Sequence, residues 1–370
     1  MSSSIFQGSL PPPSRVIVAM SGGVDSSVTA LLLKQKGFDV LGVTLKMFDA
    51  GILPQGLQEQ GASPAADARR VCEAIGIPHE VVDCRERFRA EVIDYFAHEY
   101  ARAATPNPCV KCNRLVKFGV LFDLADARGI QWVASGHYAT INRSLGYARL
   151  LRAADVRKDQ SYFLFNLRRA HLERLLFPLD GFEKPQVRRL AAEGHIPVAE
   201  KKDSQEVCFI RGEEYYEFLE RNFASLFQRQ GTFIDASGKT LGTHPGFHRF
   251  TVGQRRGLGI AAPERIFVTD INSSTNQVRL ESREALAQGT FTARDVNWLV
   301  DVPTEPLRCA VSVRYRSRPV PALVSPPEGT RSDWLIQLDT PVAGGITPGQ
   351  AAVFYAEDHV LGGGFIQKET

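Results

Sequence analysis

Val16-Ile17-Val18-Ala19-Met20-Ser21-Gly22-Gly23-Val24-Asp25-Ser26-Ser27 is the stretch whose reading decides the fold class. Val16 to Met20 is an unbroken apolar run, too short for a helix and suited to a strand buried on both faces. Two glycines follow, and the residues from Asp25 to Lys36 predict a helix. Strand, glycine turn and helix start in direct succession open a parallel βα unit. The glycines let the backbone turn tightly and approach an anion with no Cβ in the way. The N–H groups of the helix start, with the Ser26 and Ser27 hydroxyls nearby, would cradle phosphate oxygens. The bland alternative is a glycine-rich turn capped by Asp or Ser. The loop lacks the lysine of a Walker A motif, which argues against simple γ-phosphate transfer.

Outward from this loop the same alternation continues. Residues 40–45, 79–83 and 131–135 predict strands, and 64–75, 88–103 and 114–128 predict helices, with Pro78, Pro106 and Pro108 marking breaks. The implied fold class is α/β, with an N-terminal parallel sheet covered by helices. Leu45 and Gly136 fall at strand ends, on the carboxyl edge where such sheets bind ligands. After Tyr215 the pattern changes. Residues 213–223 read as a helix, and from Gln230 short strands and Gly/Pro turns dominate. Asp235-Ala236-Ser237-Gly238 reads as a hairpin turn. Residues 308–315, 334–338 and 351–355 suit strands of a small β-barrel. The expected division is a disordered, proline-rich leader over 1–13, a nucleotide-binding domain over 14–217, a small central domain over 218–288 and a C-terminal β-barrel over 289–370.

Composition narrows the class of function. A chain of 370 residues exceeds one ordinary core, and no apolar run approaches the ~20 residues that span a bilayer. With no signal peptide in the leader, a cytoplasmic, membrane-free protein is expected. The net charge of +3 is too small to attract nucleic acid by bulk field, so any such binding falls to local patches. One candidate is Arg314-Tyr315-Arg316-Ser317-Arg318, where strand alternation would put three arginines on one face; Arg249, Arg255 and Arg256 could extend it. A solvated strand edge is the competing reading.

Six cysteines make no disulfide scaffold. Cys109 and Cys112 stand in Asn107-Pro108-Cys109-Val110-Lys111-Cys112-Asn113, before a helix. The helix start, with Lys111 or Arg114, is expected to lower a thiol pKa there. Structural zinc would need two further ligands, and no second CxxC or HxxxH-type pair is present. A redox CxxC fits the spacing but leaves the phosphate loop unexplained. A third reading joins the two: ATP activates an oxygen for departure and a cysteine sulfur replaces it. Cys208, in Asp203-Ser204-Gln205-Glu206-Val207-Cys208-Phe209-Ile210, is then a second sulfur centre. Cys109, Cys112 and Cys208 could equally hold three corners of an iron–sulfur cluster with one open iron. Cys72, Cys84 and Cys309 read as structural.

The string Ser21 to Ser26 resembles the fingerprint of the PP-loop ATP pyrophosphatases, an adenine nucleotide alpha-hydrolase-like fold. The chain also carries Gly136-His137-Tyr138-Ala139, Lys158-Asp159-Gln160-Ser161-Tyr162-Phe163-Leu164, Thr251-Val252-Gly253-Gln254-Arg255-Arg256-Gly257-Leu258-Gly259, Arg314-Tyr315-Arg316 and Pro348-Gly349-Gln350-Ala351-Ala352-Val353-Phe354-Tyr355. With the two cysteine strings, in this order, it resembles the tRNA-specific 2-thiouridylase family over nearly its whole length. That resemblance implies ATP bound by Ala19, Met20, Ser21, Gly22, Gly23, Val24, Asp25, Ser26, Leu45 and Gly136, with Mg²⁺ held partly by Asp25. It implies Cys208 as persulfide carrier and Cys112 as its partner nucleophile. Asn107, Pro108 and Cys109 would line the target base, and His137, Lys158, Asp159, Gln160, Arg314, Tyr315 and Gln350 would contact tRNA. The implied partners are tRNAs for Lys, Glu and Gln and a cysteine desulfurase or sulfur-relay protein. The chain departs from the family at Leu45, where methionine is usual, and at Cys109, where many relatives have aspartate. Alternatives are a PP-loop amidotransferase-type synthetase and an RNA-binding redox protein.

Overall fold

A computed structural model describes residues 14–54, 63–202, 207–227, 230–330 and 332–368. The leader and Asp203-Ser204-Gln205-Glu206 lie outside the described residues. Two compact units divide the chain. The first comprises residues up to Val92, 109–212 and 358–361; the second comprises 93–108, 213–357 and the residues from Gly362 onward.

The first unit is built on a five-stranded, all-parallel sheet. Its strands are β1 (Arg15–Ala19), β2 (Asp39–Lys46), β3 (His79–Asp83) and β4 (Trp132–Ala134). A hairpin of β5 (Thr140–Asn142) and β6 (Arg149–Leu151) follows β4, and β7 (Leu175–Leu176) completes the sheet. The order is β3-β2-β1-β4-β7. Val16, Ile17 and Val18 are fully buried, as a central parallel strand with helices on both faces requires. Helix α1 (Val24–Gln35) packs back on the sheet, and Val28, Ala30 and Leu33 enter the same core as Val16 and Val18. Helix α2 (Pro64–Ile75) has the bounds its punctuation predicts. The Ser63 hydroxyl accepts from Ala66 N at 3.2 Å, proline occupies the first turn, and Gly76 ends the helix at φ +65°.

The strand order reverses between β1 and β4. Chains leaving their carboxyl ends part to opposite sides there, which opens a crevice. The glycine loop follows β1 and Gly136 follows β4, so both sit at this switch point.

In the second unit, β8 (Gly231–Ile234), β9 (Thr240–His244), β10 (Phe267–Asn272) and β11 (Gln277–Glu281) form one sheet, ordered β10-β11-β8-β9. The turn at Asp235 to Gly238 joins β8 to β9 as an antiparallel hairpin, with Asp235 Oδ1 accepting from Ser237 N and Lys239 N. Six further strands close into a barrel: β12 (Gln288–Trp298), β13 (Leu307–Ser312), β14 (Val320–Ser325), β15 (Trp334–Val342), β16 (Ala351–Ala356) and β17 (His359–Ile366). Pairing of β12 with both β15 and β17 closes it.

One expected strand is shorter than its sequence suggests. β13 ends at Ser312, and Arg314 to Arg318 form a turn instead. Ser317 N and Oγ both donate to Arg314 O, and Arg316 takes φ +62°. The three arginines therefore do not alternate along a strand face.

Candidate active site

The phosphate loop is shaped by its glycines and by contacts from distant parts of the first unit. Gly22 has φ +68°, and a Cβ there would run into the Pro64 carbonyl oxygen. Gly136 has a different reason to be glycine. An added Cβ would lie 2.7 Å from Asp25 C and 2.8 Å from Ser26 N, so only glycine lets the β4 end approach the start of α1. No side chain caps α1, and its first-turn N–H groups are left to an incoming anion. Ser26 and Ser27 turn inward instead: both hydroxyls donate to Gly23 O, at 3.0 and 2.8 Å, and brace the turn. Leu45 is half-buried at the end of β2, and Met20 is buried at the end of β1. This amide cradle fits the phosphates of ATP.

The sequence reading found no lysine in the loop, yet two reach it from afar. Lys184 Nζ donates to both Asp25 carboxylate oxygens at 2.7 Å, and Tyr138 Oη donates to Asp25 Oδ1 at 2.9 Å. Lys201 Nζ donates to Gly22 O at 3.0 Å and to Asp67 Oδ2 at 2.6 Å. Neither lysine carries a local motif, and only their place in a strand-and-helix unit near the loop could have marked them.

Cys109 lies on a short helical turn, Pro108–Lys111, and Cys112 opens the π-helical segment that continues it, Cys112–Lys117. Cys208 lies in a turn of the same unit. All six cysteines are free thiols. Cys112 feels Cys208, Cys109 and Cys84, and Cys208 feels Cys109, so the structure brings the three expected sulfur centres into one neighbourhood. The expected thiolate activation is not found. Burial pushes Cys208 up to about 12 and raises Cys112; Cys109 is raised too by the protein around it, although its own surface is exposed to solvent, so it is the most accessible of the three. Arg114 does not act on these thiols; its guanidinium donates to Asn166 O and Oδ1. The one cation that opposes burial at all three thiols is Lys117. Cys72 and Cys84 are buried and pushed to about 11, and Cys309 to about 12, as inert core thiols are. Among the described residues no group of three or more His, Cys, Asp or Glu side chains is arranged to hold a metal.

His137 is buried, and burial with the neighbouring Lys117 charge drives its pKa well below the usual range. Lys117 Nζ has only donors, so it donates to His137 Nε2 at 3.3 Å, and the ring proton on Nδ1 goes to Ser135 Oγ at 2.8 Å. Asp159 accepts from Ala153 N, Ser161 N and Ser161 Oγ, and Gln160 accepts from Tyr138 N; both brace the segment after the hairpin. Lys158 is half-exposed.

The remaining expected site residues belong to the second unit. Asn107 and Pro108 are buried there. Gln350 Nε2 donates to Thr105 O at 2.8 Å, and Thr105 N donates to Pro348 O at 2.8 Å, which pins the segment leading to Asn107. Arg314 donates to Gly344 O and Gly345 O at 2.8 and 2.7 Å, while Arg316 is exposed over the Tyr315 ring.

A parallel-sheet domain with a phosphate cradle and three neighbouring thiols, in a chain that also carries two β-rich domains, defines a class of ATP-using, sulfur-handling enzyme. Comparison with known families gives the particular member of that class. The model described as "tRNA methyl transferase HUP domain" matches residues 14–212, its PRC-barrel domain matches 217–281, and the "Aminomethyltransferase beta-barrel domain" matches 288–366. The tRNA-specific 2-thiouridylase MnmA of Geobacter metallireducens is 46% identical over 358 residues, covering 95% of this chain and 96% of that one. The protein of the same name from a Synechococcus strain is 43% identical over 374 residues, covering 100% and 98%. Among solved structures, NMN synthetase from Francisella tularensis is 19% identical with a TM-score of 0.34, covering 57% of this chain and 77% of that one. The chain belongs to the tRNA-specific 2-thiouridylase family. No described helix is long and apolar enough to cross a membrane.

Proposed function

We propose that this enzyme replaces the 2-oxygen of the wobble uridine in tRNAs for Lys, Glu and Gln with sulfur. The observation that carries the reading is the gathering of Cys109, Cys112 and Cys208 in the unit that also holds the phosphate loop. Bound ATP would supply AMP to the uridine 2-oxygen, with pyrophosphate leaving, and so make that oxygen a leaving group. The α1 amides hold the phosphates in this reading, with Asp25 beside them and Mg²⁺ as the accompanying cation.

Sulfur arrives from a cysteine desulfurase or relay protein as sulfane sulfur, which converts Cys208 to a persulfide. The terminal persulfide sulfur attacks C2, and AMP departs with the original oxygen. Cys112 then attacks the Cys208 sulfur, the S–S electron pair goes to the sulfur on C2, and a Cys112–Cys208 disulfide remains. An external dithiol restores both cysteines by taking the two oxidising equivalents. Burial holds both resting thiols protonated, so each must lose its proton to act, Cys208 to take up sulfur and Cys112 to attack the Cys208 sulfur. Asn107, Pro108 and Cys109 are the proposed contacts of the base, and Lys158, Tyr315, Arg316 and Gln350 those of the rest of the tRNA.

The test separates activation from transfer. Cys208→Ser is expected to abolish thiolation while keeping tRNA-dependent pyrophosphate release, and Asp25→Ala to lose both. Full thiolation by Cys208→Ser, read by mass spectrometry of the tRNA nucleosides, rules the assignment out.

A further inference from the structure

Lys184 is a lysine in an unfavourable place. It stands at the first position of the helix Lys184–Glu193, where the helix dipole disfavours a cation, and only 10% of its side chain is exposed. Its ammonium meets Asp25 through two 2.7 Å bonds and lies 5.9 Å from the centre of the Tyr138 ring, whose hydroxyl also donates to Asp25. A purely structural pair joining this helix to α1 is the simpler reading. Buried ion pairs are poor stabilisers, however, because desolvation offsets most of the attraction.

Asp25 supplies a better reason for Lys184 to be there. It lies in the first turn of α1, among the amides an incoming phosphate needs. An unpaired carboxylate there would compete for those amides and repel a polyphosphate. We propose that Lys184 is a positioning residue for the nucleotide: it neutralises Asp25 and draws the carboxylate aside, so that the α1 cradle accepts a triphosphate. This rests on the adenylation reading and extends it to a residue outside the loop. Tyr138 acts with Lys184 by fixing the same oxygen.

The inference is tested by calorimetric titration of ATP into the full-length chain, without tRNA and with EDTA present. Lys184→Met is expected to weaken binding about a hundredfold, the size of one unscreened charge at close range in a partly buried site. Lys184→Arg keeps the charge and stays close to the unaltered chain. Asp25→Asn removes the repulsion, leaves Lys184 to the phosphates and tightens binding. The Lys184→Met/Asp25→Asn double variant recovers most of the loss, a rescue that a structural pair would not give. Melting temperatures report folding alongside. Should Lys184→Met not fold, Asp25→Asn decides alone: tighter binding supports the proposal, and unchanged or weaker binding overturns it. Undiminished binding by Lys184→Met, or no rescue in the double variant, also overturns it. If the unaltered chain binds no ATP, the adenylation reading falls and this inference with it.

Discussion

Gly136→Ala is the smallest change that tests whether the crevice between β1 and β4 is the nucleotide site. The added methyl carbon would sit 2.7 Å from Asp25 C, 2.8 Å from Ser26 N and 2.9 Å from Asp25 O. Carbon atoms pack at ~3.5 Å or more, so the shortfall is about 0.8 Å. All three neighbours are backbone, at the start of a buried helix, and no rotamer change relieves them. Overpacking of this kind costs about 1–3 kcal/mol. The displaced element is the phosphate cradle itself, and a misplacement near 1 Å costs on the order of a hundredfold in rate. Two measurements check this: urea denaturation for stability, and tRNA-dependent pyrophosphate release for activation. Gly289→Ala is the control, since its methyl would meet nothing closer than 3.7 Å. If Gly136→Ala unfolds at the same urea concentration as the control and releases pyrophosphate at full rate, the close approach of β4 to α1 does not shape the site.

Three further outcomes follow, two from the second unit's turn and one from a half-buried carboxyl. Arg314→Ala strips the Gly344 and Gly345 carbonyls of charge-assisted bonds and is expected to lower stability by about 1–3 kcal/mol. Arg316→Ala is instead expected to leave stability intact and flatten the salt dependence of tRNA binding by roughly one counterion, which filter binding across salt concentrations reads. Burial raises Asp180 from 3.8 to about 7. Its contribution is fully present below pH ~4, where folded and unfolded forms are both protonated, and is lost as pH rises through 7. Asp180→Asn should therefore melt progressively higher than the unaltered chain from pH 4 to 7, with a constant gap above; a pH-independent gap refutes this.

The sheet was legible because its signals are local. Ser63, Pro64 and Gly76 fix both ends of α2 by capping chemistry that a sequence displays directly. The apolar run of β1 and the glycine pair after it need no distant partner to be understood. The turn at Arg314 was illegible because its cause is a set of hydrogen bonds. A run of alternating residues cannot announce that Ser317 will bond back to Arg314 and that Arg316 will adopt positive φ. The thiols failed for a related reason. Spacing before a helix suggested activation, whereas burial governs the pKa and depends on residues far along the chain.

The charge of the phosphate loop shows what a motif leaves out. Read alone, the loop offers amides, hydroxyls and one aspartate, a site with no positive side chain for a highly negative ligand. The fold brings Lys184 to Asp25 across 159 positions and Lys201 to Gly22 across 179. The serines meanwhile turn their hydroxyls into the loop. The electrostatic character of the cradle is thus set by residues that carry no recognisable string. A lysine absent from the motif is evidence about the motif's chemistry and not about the site's charge. For this chain the distinction decides which variants are informative: substitutions at the glycines and serines of the loop alter the cradle's shape, and those at Asp25, Lys184 and Lys201 alter the field in which a phosphate settles.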